Sequence, residues 1–150
     1  MYRFIRIRKT NLICYENGTV FRFLKKTKKW RIVKGTKNTS KHLFMGIDRK
    51  MYLMHRVIAH AFRILDLHSE LCIDHIDRNT LNNCISNLRP CTKQQNSFNT
   101  NAKGYWWNKQ NKKWQAKIVL NGKRIHLGFF DIEEEAHQAY LNAKEIYHTF

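Results

Sequence analysis

The chain has 150 residues, enough for one domain or two small ones with modest cores. Its 28 Lys and Arg outweigh 11 Asp and Glu to give a formal net charge of +17 at pH 7, a field that draws polyanions and points to nucleic acid. A membrane protein, a secreted protein and a zinc ribbon are all disfavoured. No apolar run approaches a membrane span, no long basic amphipathic helix is present, and no signal peptide is evident after Met1. Cys14, Cys72, Cys84 and Cys91 form no C-x-x-C pair and read as free thiols in a reducing compartment.

The basic charge is concentrated at the start. Residues 1–50 hold 15 Lys or Arg against 2 acids. This third reads as β. Phe4–Arg8 and Thr19–Leu24 mix aliphatic or aromatic residues with Arg, and Glu16-Asn17-Gly18 between them is a hairpin signal. Trp30–Val33 is a further strand, and Lys34–Lys41 is polar and turn-rich. His42–Ile47 and Lys50–Met54 form a hairpin around Asp48-Arg49. Such a sheet would lie along a DNA backbone with Arg6, Arg8, Arg22, Lys25, Lys26, Lys28 and Lys29 near phosphates; the alternative is a solvated basic face. Met54–Ile64 reads as a helix, with Val57, Ala61 and Ile64 on one face. On it, His55 and His60 either reach a metal or phosphate or buttress the core, and Arg56 and Arg63 meet phosphate or solvent. Leu65–Glu70 is a linker.

The densest chemistry lies between Leu71 and Phe98. Leu71-Cys72-Ile73 reads as a short strand ending in Asp74-His75, followed by a polar loop from Asp77 to Asn83. Asn87-Leu88-Arg89 returns as a second strand that Pro90 ends, since proline has no ladder donor. Thr92 with Gln95 makes a capping box for a helix from about Lys93, which would carry Asn96 toward Asp74 and His75. A carboxylate and an amide oxygen suit magnesium or manganese, which prefer oxygen ligands. An imidazole that titrates near neutrality suits proton abstraction from water. The Asn87 amide would bridge the loop and hold the His75 backbone.

This stretch resembles the HNH nuclease family, in its H-N-N branch of phage homing endonucleases. The match lies in Asp74-His75, Asn87-Leu88-Arg89 and Gln95-Asn96, with His55–Phe62 like the helix before the motif. The resemblance implies a ββα-metal finger in which His75 is the general base, Asp74 and Asn96 are metal ligands and Asn87 is the structural asparagine. Two departures stand out: Asp77-Arg78 replaces the frequent Asn-Gly or Asp-Gly, and Asn96 replaces a histidine.

After Asn96 a polar stretch to Gly104 suits a domain boundary. Tyr105–Asn108, Lys113–Leu120 and Lys123–Phe130 then read as three strands, joined by Lys109–Lys112 and by the hairpin turn Asn121-Gly122. Asp131 with Glu134 would cap a helix whose apolar stripe is Ala136, Ala139, Tyr140, Ala143, Ile146 and Tyr147. Residues 103–148 resemble the APETALA-type (ethylene-response-factor-like) DNA-binding domain through Gly104-Tyr105-Trp106, Lys113–Ala116, Gly122-Lys123, Leu127–Phe130 and Glu134-Glu135-Ala136. That resemblance implies a sheet laid in the major groove, with Trp107, Trp114, Lys117 and Arg124 as contacts. Alternation puts Trp106 and Trp107 on opposite faces, one toward the helix and one open.

The expected fold is therefore α+β: an N-terminal β-rich segment leading into a ββα-metal finger, then a small three-stranded antiparallel sheet packed on one helix. The expected domains are 1–100, divided into an arm (1–53) and the helix plus finger (54–100), and 101–150. The expected function is metal-dependent DNA endonuclease activity of homing type, cutting one strand. The catalytic residues would be His75 and Asn87, and the magnesium or manganese ligands Asp74 and Asn96, with no structural zinc. DNA contacts would come from Arg6, Arg8, Arg22, Lys25, Lys26, Arg56, Arg89, Trp107, Trp114, Lys117 and Arg124. The alternative is a non-catalytic DNA-binding regulator descended from such a nuclease. Double-stranded DNA is the expected partner, with a monomer expected and no membrane or protein partner. The compartment is wherever the target DNA lies, a host cytoplasm or nucleoid if phage-encoded.

Overall fold

The computed structural model describes residues 1–37 and 41–149, so 38–40 of the polar stretch expected at Lys34–Lys41 lie outside the described residues. The chain divides into two compact units, Met1–Asn96 and Ser97–Phe150. Together they carry four small antiparallel sheets and three helices among the described residues, a mixed α+β fold. No helix among these residues is long and apolar enough to cross a membrane.

The first unit opens with an antiparallel meander of β1 (Tyr2–Ile7), β2 (Thr10–Tyr15), β3 (Val20–Leu24) and β4 (Lys29–Ile32). The sequence reading lacked β2. Its Leu12 and Cys14 are fully buried while Asn11, Ile13 and Tyr15 alternate with them, so it is a core strand. Glu16-Asn17-Gly18 therefore joins β2 to β3. The β1–β2 turn falls at Arg8, whose φ of +52° is unsignalled by any glycine or asparagine. Ile5, Ile7, Leu12, Cys14 and Val20 face the core. The opposite face is aromatic, with ring contacts Tyr2–Tyr15, Tyr15–Phe21, Phe23–Trp30 and Phe4–Trp30 at 5.3–5.8 Å.

A second sheet contains β5 (Thr36–Lys37), β6 (Leu43–Ile47) and β7 (Lys50–Leu53), so Thr36-Lys37 is strand and not turn. Asp48 (φ +45°) and Arg49 (φ +66°) both sit in the left-handed region, as a tight hairpin turn requires. Asp48 is held there by its own carboxylate, which accepts from the Lys9 amide at 2.8 Å and the Thr10 hydroxyl at 3.1 Å. Those bonds, the Lys9 amide foremost, hold its pKa below the usual carboxylate range.

β7 runs straight into α1 (Met54–Ala61), whose Met54, Val57, Ile58 and Ala61 fill the core. The expected helix continued to Ile64. It stops because Arg63 turns left-handed (φ +59°). The Arg63 amide bonds the His60 carbonyl and the Ile64 amide bonds Ala59, which closes the end in a Schellman motif. Ile64 then packs back on the core.

β8 (Cys72–His75) and β9 (Leu88–Cys91) form a two-stranded ribbon, preceded on the return side by a single 3-10 turn at Ile85–Asn87. Pro90 does not end β9. It pairs opposite Ile73, tolerated because a two-stranded ribbon has an edge on either side where no donor is needed. α2 (Lys93–Phe98) follows. The β2–β3 turn braces this region: the Ile85 amide donates to the Glu16 carbonyl at 2.7 Å, and Gly18 (φ +85°) leaves no room for a Cβ, which would meet the Asn83 backbone at 2.8 Å.

The second unit is β10 (Tyr105–Asn108), β11 (Lys113–Leu120) and β12 (Lys123–Phe130) in that order, with α3 (Glu133–Tyr147) on one face. Asn121 (φ +52°) and Gly122 (φ +73°) make the β11–β12 turn. Ile118, Tyr140 and Ala143 form the core with Ile125 and Leu127 beside them. Gly104 (φ +73°) lies flat against Tyr140, where a Cβ would fall 2.0 Å from the ring. Two expectations fail at the helix ends. Asp131 does not cap α3; Ile132 occupies the cap position without a side-chain bond, and the Asp131 carboxylate pairs with Lys113 at 3.1 Å. Ile146 is 68% exposed and Tyr147 36%, so neither joins the buried stripe of Ala136, Tyr140 and Ala143.

Candidate active site

The ribbon places Asp74 opposite Arg89 and His75 opposite Leu88. Asp74 is buried, and one oxygen, Oδ2, receives both Arg89 Nη2 at 2.7 Å and Nε at 2.9 Å. His75 is buried too, and its Nε2 lies 3.0 Å from Asn83 Oδ1. An amide oxygen only accepts, so Nε2 is the donor of this pair.

The loop after His75 is tied by side chains. Asn87 Nδ2 donates to Asp77 Oδ1 at 2.8 Å and to the Asn82 carbonyl at 2.9 Å, while its Oδ1 accepts from the Asp77 amide at 2.9 Å. Its backbone carbonyl accepts from Ile76 at 2.9 Å. Asp77 also accepts from Asn82 Nδ2 at 2.7 Å and the Asn79 amide at 2.8 Å. The Asn82 bond leads in holding its pKa below the usual carboxylate range. Asn87 thus bridges both arms of the loop that begins at His75.

Two further imidazoles meet His75. His55, from the first turn of α1, lies 5.0 Å from it centre to centre at 90°, and His42, just before β6, lies 5.7 Å from it and 5.2 Å from His55. One ring nitrogen from each of the three falls within 4.8 Å of the others. His55 is 4% exposed and its Nδ1 has no hydrogen-bond partner among the described residues. Burial foremost, then the neighbouring His75, His42 and Arg56, pushes its pKa down to about 3, so it is neutral at ordinary pH.

The capping box forms as written in the sequence, with the Thr92 amide on Gln95 Oε1 at 3.0 Å and the Gln95 amide on Thr92 Oγ1 at 3.1 Å. Asn96 sits exposed on the helix so capped. Asp74 and Asn96 offer the hard oxygen donors that magnesium or manganese take. Since Arg89 holds Oδ2, an ion at Asp74 would use Oδ1 or displace the guanidinium.

The cationic candidates divide by environment. Arg6, Arg8, Lys25 and Lys26 are exposed on the first sheet. Arg22 is half-buried, with Nη2 on the Gly46 carbonyl. Arg56 is committed to the carbonyls of Leu67, Leu71 and Ser69 at 3.3, 2.8 and 2.5 Å, fastening the segment before β8. Arg89 is bound to Asp74. In the second unit, register puts Trp107 beside Trp114 and Phe130 on the face that carries Tyr105, whose ring meets His137 of α3. The opposite face carries Trp106, Gln115, Lys117, His126 and Arg124, with Lys117 Nζ 4.2 Å above the Trp106 ring.

Residues 52–98 match the HNH endonuclease family. A protein of Escherichia phage T7, Protein 3.8, is 30% identical over 86 residues that cover 52% of this chain and 71% of its own length. Residues 52–98 are thus a segment of HNH endonuclease type. An uncharacterized HNH endonuclease of Acanthamoeba polyphaga mimivirus is 39% identical over 102 residues, 65% of this chain, and the chain spans 54% of that viral protein. A solved structure of DNA binding and cleavage by the HNH homing endonuclease I-HmuI is similar over 77% of this chain and 70% of that chain, at 21% identity and a TM-score of 0.42.

Sequence reasoning passed over Asn83, inside the match at residues 52–98, and His42, ahead of it. Asn83 was one asparagine in a polar loop. His42 is separated from His55 and His75 in sequence, and no spacing rule joins them.

Proposed function

We propose that this chain is a metal-dependent DNA endonuclease of homing type that nicks one strand of double-stranded DNA. The observation that carries the reading is the state of His75: Asn83 holds Nε2 as the donor, so Nδ1 is the base, and Asn87 clamps the loop behind it. In this reading Nδ1 takes a proton from the water that attacks phosphorus, and the departing deoxyribose oxygen takes one from solvent. Asp74, oriented by Arg89, and the amide oxygen of Asn96 would hold magnesium or manganese, which when bound neutralises charge on the phosphate and leaving oxygen.

Grip on the duplex would come from Arg6, Arg8, Lys25 and Lys26 of the basic arm and from an APETALA-like unit over 101–150, with residues 1–100 as the nuclease unit. The sheet face that carries Trp106, Lys117 and Arg124 would be the major-groove reader. One such site per monomer cuts one strand per visit.

The test is supercoiled plasmid bearing the DNA that flanks this gene, incubated with magnesium or manganese, with EDTA, and with His75→Ala. Metal-dependent open circles that vanish in EDTA and in the variant are expected. Intact plasmid together with a positive gel shift would instead favour the non-catalytic DNA-binding regulator.

A further inference from the structure

We propose that His42, His55 and His75 form a three-imidazole site for a divalent transition ion of the zinc class, distinct in donor chemistry from the oxygen pair of Asp74 and Asn96. Three separate elements bring these rings together: the segment before β6, the first turn of α1 and the end of β8. Their nearest ring nitrogens lie within 4.8 Å of one another. Three nitrogens on a tetrahedral ion at 2.0–2.1 Å stand about 3.3 Å apart, so closure needs movements under about 1 Å at each ring.

The chemistry of each ring supports the assignment. His55 is 4% exposed with Nδ1 unpartnered among the described residues, an arrangement that native interiors avoid unless something else completes it. His75 donates Nε2–H to an amide oxygen, the outer bond that fixes a ligand histidine and raises the basicity of its other nitrogen. Neutral imidazoles suit zinc and its neighbours, whereas magnesium prefers oxygen. Three protein ligands leave a fourth position open.

One consequence rests on the reading of His75 as the base: its Nδ1 cannot both ligate an ion and accept a proton, so zinc would suppress cleavage supported by magnesium. Binding itself is measured independently of cleavage. Full-length protein is titrated with zinc alone, without DNA, while imidazole resonances are followed by NMR, and with cobalt(II) while visible absorbance is followed. Expected are one equivalent bound, coupled shifts of the His42, His55 and His75 rings, and a loss of affinity beyond about tenfold in His42→Asn. His42 is chosen because it is only half-buried; matching circular dichroism verifies the fold of the variant. Zinc that moves His60, His68, His126, His137 or His148 and leaves these three still would overturn the proposal, as would unaltered affinity in His42→Asn or no binding at all. A protein that binds zinc here yet never nicks DNA would sink the nuclease reading and leave the site standing.

Discussion

Asp74 is a carboxylate withdrawn from water, and the Arg89 guanidinium is what makes that burial tolerable. Replacing Arg89 with Met leaves a buried charge without its partner. The expected loss of unfolding free energy is about 3 kcal/mol by urea denaturation, with Arg89→Lys intermediate because an ammonium cannot reproduce the two-nitrogen contact. His55 makes a pH prediction. Its folded pKa of about 3 lies below the unfolded value of about 6.5. As pH falls, the unfolded chain takes the proton first, so this contribution to stability is fully present above about 6.5 and declines down to about 3. The full decline is at most about 4–5 kcal/mol. Urea midpoints across pH 3–7 in chelator-treated buffer should fall on acidification, and His55→Phe should fall less steeply. An unchanged slope in that variant would assign the acid sensitivity elsewhere.

At the level of elements, local chemistry decided what was legible. β11 and β12 are bounded in sequence by an Asn-Gly turn and a clear alternation, and the structure places them at Lys113–Leu120 and Lys123–Phe130. The α2 capping box also forms bond for bond. What escaped was backbone geometry adopted by residues that do not advertise it: Arg8 in the β1–β2 turn and Arg63 at the end of α1, both at positive φ. Without a turn signal at Arg8, β2 merged into a presumed loop. At the site, the Asp74-His75 step was readable as a strand end. The Arg89 pairing needed the ribbon register, and the histidine cluster needed three elements to meet. Asp131 shows the opposite failure, a good capping motif overruled by an ion pair with Lys113. One element can be tested sharply. Gly104→Ala would drive a methyl into the Tyr140 ring from a left-handed backbone. A loss of about 3 kcal/mol is expected in the 97–150 unit; three of the four tryptophans lie there, so intrinsic fluorescence reports it. Wild-type stability in that variant would mean the loop relocates freely.

For the whole molecule, charge is the quantity that reaches beyond any one contact. With a net charge of +17, affinity for DNA should fall steeply with salt. If the exposed side chains of Arg6, Lys25 and Lys26 neutralise phosphates, replacing all three with Gln should reduce the slope of log affinity against log salt by roughly 0.9 for each, measured by fluorescence anisotropy. The same change at Arg56 acts on folding instead, because its guanidinium holds three carbonyls. Position 18 links the basic arm to the chemistry in another way. A glycine in a hairpin of the arm is pressed against the backbone of Asn83, the residue that sets the tautomer of His75. In a saturation mutational scan scored by cleavage, position 18 should therefore group with the loop from His75 to Asn83 and not with its own hairpin, so a tolerance map would trace the candidate site's boundary through a residue that carries no side chain at all.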